Sequence, residues 1–188
     1  MKPHTCPWWL AYTFDNPLRR LVHRPADLFH GLVREGDTVA DLGCGLGYFS
    51  IALAELVGPT GNVIALDLQP EMVRRAAGRA ERRGMRPRID FRVCQPERLG
   101  LVEPVDFVLA FWMVHEVQSQ RALLAEVHAA LQPTGHLFIA EPKGHVSRRR
   151  FEATVERARA AGFGVSDGPR VRLSRAVVCT PGGGRREE

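Results

Sequence analysis

Cysteine is scarce in this chain, lysine is nearly absent, and no apolar run is long. The four cysteines (Cys6, Cys44, Cys94 and Cys179) lie far apart with no CxxC pair. That argues against a zinc knuckle or a secreted disulfide framework, and reduced thiols in or near the core are expected. No apolar run approaches the ~20 residues of a membrane-spanning helix. The N-terminal MKPHTCPWWLAYTF lacks a long apolar stretch and a small-residue cleavage site, so a cytoplasmic location is the expectation. No internal repeat or low-complexity tract interrupts the 188 residues, a length that fits one globular domain with a genuine core.

Only Lys2 and Lys143 are lysines, so the net charge of +5 is carried almost entirely by arginine. The densest basic run, residues 71–88, sets Arg74, Arg75, Arg79, Arg82 and Arg83 on a helical stretch with Glu71 and Glu81 interspersed. Glu71 and Arg75 form an i,i+4 pair. No aromatic residue interleaves with these arginines, as a stacking platform for bases requires. The stretch reads as a solvated helix face, with an RNA- or phosphate-binding face as the alternative.

Strand and helix patterns alternate along the chain. Short apolar strands are predicted at Thr38–Leu42, Asn62–Leu66, Ile89–Val93, Val105–Phe111 and His136–Ala140. Helical patterns fill the gaps at Tyr48–Val57, Glu71–Arg83 and Ser119–Leu131, the last with Ser119 as N-cap and Pro133-Thr134-Gly135 beyond its end. A further helix, Arg148–Ala161, precedes strand candidates at Phe163–Ser166 and Val171–Cys179. This order predicts an α/β fold: a three-layer, Rossmann-like, mostly parallel sheet of about seven strands with helices on both faces. Residues 1–33 are expected to form a helical cap or lid, or else an ordinary packing helix. Residues 34–180 are expected to form the main domain, and 181–188 a disordered tail.

In such a sheet, ligands lie outside the carboxyl ends of the strands, near the point where strand order reverses. The first strand ends in Asp41-Leu42-Gly43-Cys44-Gly45-Leu46-Gly47, where bare glycines let a ligand lie against the backbone. Dinucleotides and S-adenosylmethionine both use this arrangement. The dinucleotide fingerprint GxGxxG/A needs a small third residue, and counting from Gly43 that position is Tyr48. The spacing here is GxGxG, which suits a ligand without a pyrophosphate. Asp67, ending the second strand, can accept both ribose hydroxyls in either ligand class. Leu68 and Met72 can flank an adenine ring, Met72 serving equally well as a core residue.

VADLGCGLGYFSIALAELVGPTGNVIALDLQPEMV resembles motifs I and II of the class I S-adenosylmethionine-dependent methyltransferases. VDFVLAFWMVHEV is similar to their fourth-strand motif, and LQPTGHLFIAEPKGHV to the segment around the fifth strand. The resemblance spans roughly residues 30 to 180. It is closest to small stand-alone members of the type 11 group, which includes ubiquinone/menaquinone C-methyltransferases. It implies S-adenosylmethionine as cofactor, with Asp41, Gly43, Cys44, Gly45 and Gly47 along its methionine end and Asp67 on the ribose. Gln95 replaces the Asp that accepts the adenine amino group in many relatives, and Phe111 would sit near the sulfonium. A last, antiparallel strand is also implied, fitting Val171–Cys179.

The acceptor is less legible, because a methyl on sulfonium sulfur needs mainly an aligned nucleophile. His115 and Glu116 follow the fourth strand; Glu141, Lys143 and His145 follow the fifth. One reading makes His115 a general base, oriented by Glu116 or Glu141, with His145 close by. A second takes these groups as divalent-metal ligands, although catechol-type relatives use Asp/Asp/Asn; a third leaves them to backbone hydrogen bonds and the surface. His128 reads as structural, and Cys44 as small-residue packing. Trp8, Trp9, Tyr12 and Phe14 could wall an apolar acceptor. A small-molecule acceptor is the expected partner. The alternatives are an RNA or protein acceptor, a catalytically silent cofactor-binding protein, and a nicotinamide oxidoreductase.

Overall fold

Strands buried on both faces read as unbroken apolar runs, and Val-Ile-Ala-Leu and Phe-Val-Leu-Ala-Phe are such runs. The computed structural model describes residues 24–182. Seven strands form one sheet: β1 (Thr38–Leu42), β2 (Asn62–Asp67), β3 (Ile89–Val93), β4 (Val105–Phe111), β5 (Leu131–Pro142), β6 (Phe163–Asp167) and β7 (Ser174–Pro181). Their order is β3-β2-β1-β4-β5-β7-β6, with β7 antiparallel to both neighbours and the other pairs parallel. The chain runs outward from β1 to β3 and returns at β4. The reversal of strand order therefore falls between β1 and β4, and a crevice opens at their carboxyl ends.

Among the described residues the sheet is accompanied by five α-helices: α1 (Pro25–Leu28), α2 (Tyr48–Leu56), α3 (Pro70–Arg82), α4 (Gln120–Ala130) and α5 (Arg148–Ala160). Alternate residues of β4 divide between two cores, as the two-residue period of a strand requires. Val108 and Ala110 pack with Leu123, Leu124 and Val127 of α4 and with Phe151 and Val155 of α5. Phe107 and Leu109 pack on the opposite face with Leu53 and Ala54 of α2 and Ala80 of α3. The predicted three-layer fold is the observed one. Among the described residues no helix is long and apolar enough to cross a membrane.

Ser119 caps α4, its Oγ accepting the Ala122 N–H at 3.2 Å, and Ser147 caps α5 in the same way. Two strands start elsewhere than expected, and β2, β5, β6 and β7 run one or two residues further. β5 begins at Leu131 rather than His136, because Leu131 pairs with Val105 before the register slips to Phe107–His136. The Pro133-Thr134-Gly135 turn is accommodated inside that irregularity, where Pro133 needs no ladder donor. β7 begins at Ser174 rather than Val171 because Leu173 adopts φ +62°, which no extended strand can contain.

Of the expected 1–33 cap, only residues from Arg24 onward are described, and Trp8, Trp9, Tyr12 and Phe14 lie outside them, as does Cys6. Of the expected tail, Pro181 pairs with Phe163 at the end of β7, while residues 183–188 lie outside the described range. The segment after α1 carries Phe29, 1% exposed, whose ring meets those of Phe49, Phe107 and Phe138 with centroids 5.7, 5.5 and 5.9 Å away. Phe29→Ala should destabilise the fold by about 3–5 kcal/mol in chemical denaturation. A loss below about 1 kcal/mol would mean that this ring cluster does not anchor the N-terminal segment.

Candidate active site

A cavity of about 1150 Å³ opens at the carboxyl ends of β1, β2, β4 and β5. Its floor is the loop after β1. Gly45 takes φ +54°, and no atom beyond its immediate chain neighbours lies within 4 Å of where its Cβ would be, so the backbone presents a bare face to the cavity. Gly43, at φ +67°, is required differently: a Cβ there would come within 2.9 Å of Met113 Cβ. Asp41 beneath the loop is 2% exposed and accepts the Ser50 hydroxyl at 2.5 Å.

Asp67 joins this floor to β2. Its Oδ2 accepts the Gly45 N–H and its Oδ1 the Gln69 N–H, both at 2.9 Å. Each oxygen keeps a further lone pair for a ligand hydroxyl. Burial pushes the Asp67 carboxyl above the ordinary carboxylate range, opposed by the N–H groups of Gln69 and Gly45. Leu68, Met72 and Gln95 line the same side, Met72 also being buried in the core.

Cys44 lines the loop and is buried, and burial, with the charges of Asp41 and Asp67, pushes its thiol well up. Burial likewise pushes Cys94 up to about 11 and Cys179 to about 12. Protonated thiols of this kind pack rather than attack.

The other wall is built by the ends of β4 and β5. Phe111, Glu116 and His145 line it together with His115. Glu141 is only 1% exposed and does not reach the cavity; it stands behind His115, accepting its backbone N–H at 3.3 Å and pairing with its Nδ1. An Nδ1–H donated to this carboxylate leaves the Nε2 lone pair for the cavity side. Glu116 Oε1 is 3.9 Å from that Nε2, and the His145 ring stands edge-on to His115 with centroids 4.9 Å apart.

Two expected site residues do not line the cavity. Glu141 acts from behind His115, as described. Gly47 is the N-cap of α2 at φ +75°, and its Cα faces Ala76 of α3, so its bareness serves helix packing. Among the described residues no three of His, Cys, Asp and Glu are grouped to hold a metal ion. Met72 of the arginine-rich stretch lines the cavity, but none of its arginines does. Arg74 and Arg75 pair with Glu71, Arg79 donates to Leu46 O, and Arg88 to Ala54 O. His128 stands edge-on to Phe163, as a structural residue does.

Sequence reasoning missed three contributors. Trp112 lines the cavity at φ +60°, a conformation rare for a bulky residue; its N–H donates to Ala140 O and its indole N–H to Ser174 Oγ, both at 2.8 Å. Glu126 accepts the successive N–H groups of Leu99, Gly100 and Leu101 at 2.9, 2.7 and 3.1 Å, fixing the loop that follows β3. Leu173, 65% exposed, lines the mouth, and its carbonyl accepts the Lys143 N–H at 2.8 Å. Position immediately after a strand could have flagged Trp112. Glu126 gives no local signal, because its partners lie 25 to 27 residues away.

Residues 34–164 match a family model described as a methyltransferase domain. The chain is 30% identical over 125 residues to the ubiquinone/menaquinone biosynthesis C-methyltransferase of Hydrogenovibrio crunogenus, covering 66% of this chain and 49% of that protein. It is 32% identical over 138 residues to the ubiquinone biosynthesis O-methyltransferase of Xanthomonas euvesicatoria, covering 71% and 55%. The chain thus spans about half the length of these curated relatives. Among solved structures, an S-adenosylmethionine-dependent methyltransferase from Aquifex aeolicus superposes with a TM-score of 0.82 at 22% identity, covering 93% of this chain and 98% of that one. At that identity the likeness is one of fold. With its glycine loop, its β2 aspartate and its single antiparallel strand, the chain belongs to the methyltransferase domain family and has the class I S-adenosylmethionine-dependent methyltransferase fold.

Proposed function

We propose that the protein transfers the methyl group of S-adenosylmethionine to a small-molecule acceptor whose nucleophilic atom carries a proton. One observation carries the reading: the bare Gly45 backbone and the Glu141-backed His115 open onto a single cavity of about 1150 Å³. Pockets for one ligand commonly measure ~300–1,000 Å³, so there is room for cofactor and acceptor together.

The residues present fit the cofactor. Asp67 accepts the ribose hydroxyls with the lone pairs left free by Gly45 and Gln69. Leu68 and Met72 flank the adenine, and the Gln95 carbonyl accepts its amino group. Asp41, Gly43, Cys44 and Gly45 line the methionine end, with Phe111 beside the reacting centre. Bound there, S-adenosylmethionine supplies a methyl on sulfonium sulfur, already activated toward in-line displacement. Holding the acceptor in line supplies ~7–11 kcal/mol of the barrier. His115 Nε2 would take the acceptor's proton as the methyl carbon–sulfur bond breaks, which would leave S-adenosylhomocysteine and the methylated acceptor. Glu141 holds the imidazole in the tautomer that can take the proton and stabilises the cation formed, which makes it a positioning residue.

The test is incubation with methyl-labelled S-adenosylmethionine and a cell extract, followed by separation into small-molecule, protein and nucleic-acid fractions. Label should enter the small-molecule fraction; label confined to RNA or protein overturns the acceptor class. With that acceptor, His115→Ala should lower kcat about 10²–10⁴-fold and Glu141→Gln by a smaller factor. Both should bind S-adenosylhomocysteine as the wild type does, and full turnover by His115→Ala would remove the base.

Asp67 gives the cofactor half a separate test. The ionised carboxylate binds ribose, so affinity for S-adenosylhomocysteine should be full at neutral pH and fall on acidification. Because burial raises the Asp67 pKa, the fall should begin at a higher pH than for an exposed aspartate. Asp67→Asn should weaken binding about tenfold or more and abolish this pH dependence. Calorimetric affinities that stay flat from neutral pH into the acid range would contradict the assignment.

A further inference from the structure

Adenine presents an amino group that donates and, on either side of it, a ring nitrogen that accepts. With the amino group given to the Gln95 carbonyl, the neighbouring ring nitrogen still needs a donor. The wall concerned is the loop after β3, where Cys94, Gln95, Pro96, Glu97, Arg98 and Leu99 line the cavity. A backbone N–H would serve, but this loop has few to give. The Cys94 N–H donates to Asp67 O and the Gln95 N–H to Arg98 O, both at 3.0 Å. Pro96 has no N–H. The Arg98 N–H returns to Gln95 O at 3.2 Å, closing a tight turn. Those of Leu99, Gly100 and Leu101 all end on Glu126. Among the described residues, the Glu97 N–H is the one left over from this loop.

The side chains of the turn differ in what they offer. An ionised Glu97 accepts only, and Arg98 donates only, whereas the Gln95 amide carries an acceptor and two donors on one plane. That amide is exposed, belongs to the cavity lining and has no hydrogen-bond partner among the described residues. The backbone beneath it is held at both ends. Cys94 is bonded to the end of β2, and Glu126 of α4 grips the three residues that follow the turn. A carboxamide set in place this way matches adenine in both atoms, because its C=O and NH2 have the spacing of the amino group and the adjacent ring nitrogen.

We infer that Gln95 reads adenine with both ends of its amide, Oε1 accepting from the amino group and Nε2 donating to the ring nitrogen beside it. The inference rests on the cofactor placement proposed above and makes Gln95 the residue that specifies the base. A carboxylate at this position would make the first bond and leave the ring nitrogen without a donor. Glu126 acts through the loop, as a positioning residue.

Gln95→Glu keeps an acceptor on a side chain of the same length and removes the donor. Because the amide makes no internal bond, the variant should unfold at the wild-type midpoint. In calorimetry it should bind S-adenosylhomocysteine about tenfold more weakly than the wild type does. A purely accepting role predicts equal or tighter binding, since a charged acceptor holds an amino group more strongly, and that result overturns the inference. The 1-deaza and 7-deaza analogues of S-adenosylhomocysteine, each with CH in place of one flanking nitrogen, locate the second bond. One of them should bind the wild type several-fold more weakly than the parent compound, and toward that analogue the gap between wild type and Gln95→Glu should close. A gap of the same size for all three ligands overturns the inference. So does loss of the discrimination in Arg98→Ala with its retention in Gln95→Glu, which would make Arg98 the donor. Failure of the wild type to bind S-adenosylhomocysteine would remove the cofactor placement and the inference together. Wild-type binding with an unimpaired Gln95→Glu removes the inference alone.

Discussion

One carboxylate holds the cofactor half of this site in shape. Asp67 lies at the end of β2, yet its two oxygens reach the Gly45 N–H of the loop after β1 and the Gln69 N–H of its own loop. Burial alone would expel its charge, and the raised pKa records that tendency; the two N–H groups oppose it. The Cys44 N–H also donates to Leu66 O at 2.9 Å, so the loop after β1 is tied to β2 at two points, with Gly45 between the strand and the cavity. A sharp loop, a close approach and a hydroxyl acceptor are thus one construction.

The acceptor half is built on β4, β5 and β7. Trp112 is held in the left-handed region by donors to Ala140 and Ser174, so the end of β4 is pinned to the antiparallel strand that distinguishes this sheet. β5 carries Glu141 into a fully buried position, where His115 is the partner that makes its burial tolerable. The same strand end leads into Lys143 and His145, which line the cavity. Base and wall therefore share a scaffold, and a change in one strand end is felt by both.

Strands buried on both faces were legible because their apolar runs are short and bounded by turn residues, and Ser119 announced its helix. The glycine loop was legible because no other residue tolerates that sequence of conformations beside a ligand. The start of β5 was not, since pairing of Leu131 with Val105 across a bulge is set by the neighbouring strand and not by local pattern. Leu173 ends a pattern that reads as continuous strand, because nothing local announces its positive φ. Glu126 is addressed to backbone groups distant in sequence, and Gly47 looked like ligand-facing backbone when its constraint is Ala76. Linear density drew attention to the arginines of residues 71–88, whose charges are largely absorbed by Glu71 and by backbone carbonyls. Of the cations of residues 143–175, Lys143 alone lines the cavity.

The central claim is that the GxGxG loop after β1 takes S-adenosylmethionine rather than a dinucleotide, with Asp67 as the ribose acceptor. Calorimetric titration of the protein with S-adenosylhomocysteine and, separately, with NAD tests it most directly. Saturable one-to-one binding of S-adenosylhomocysteine with no detectable heat from NAD is the predicted result. Binding of NAD, or failure to bind S-adenosylhomocysteine, would contradict the account.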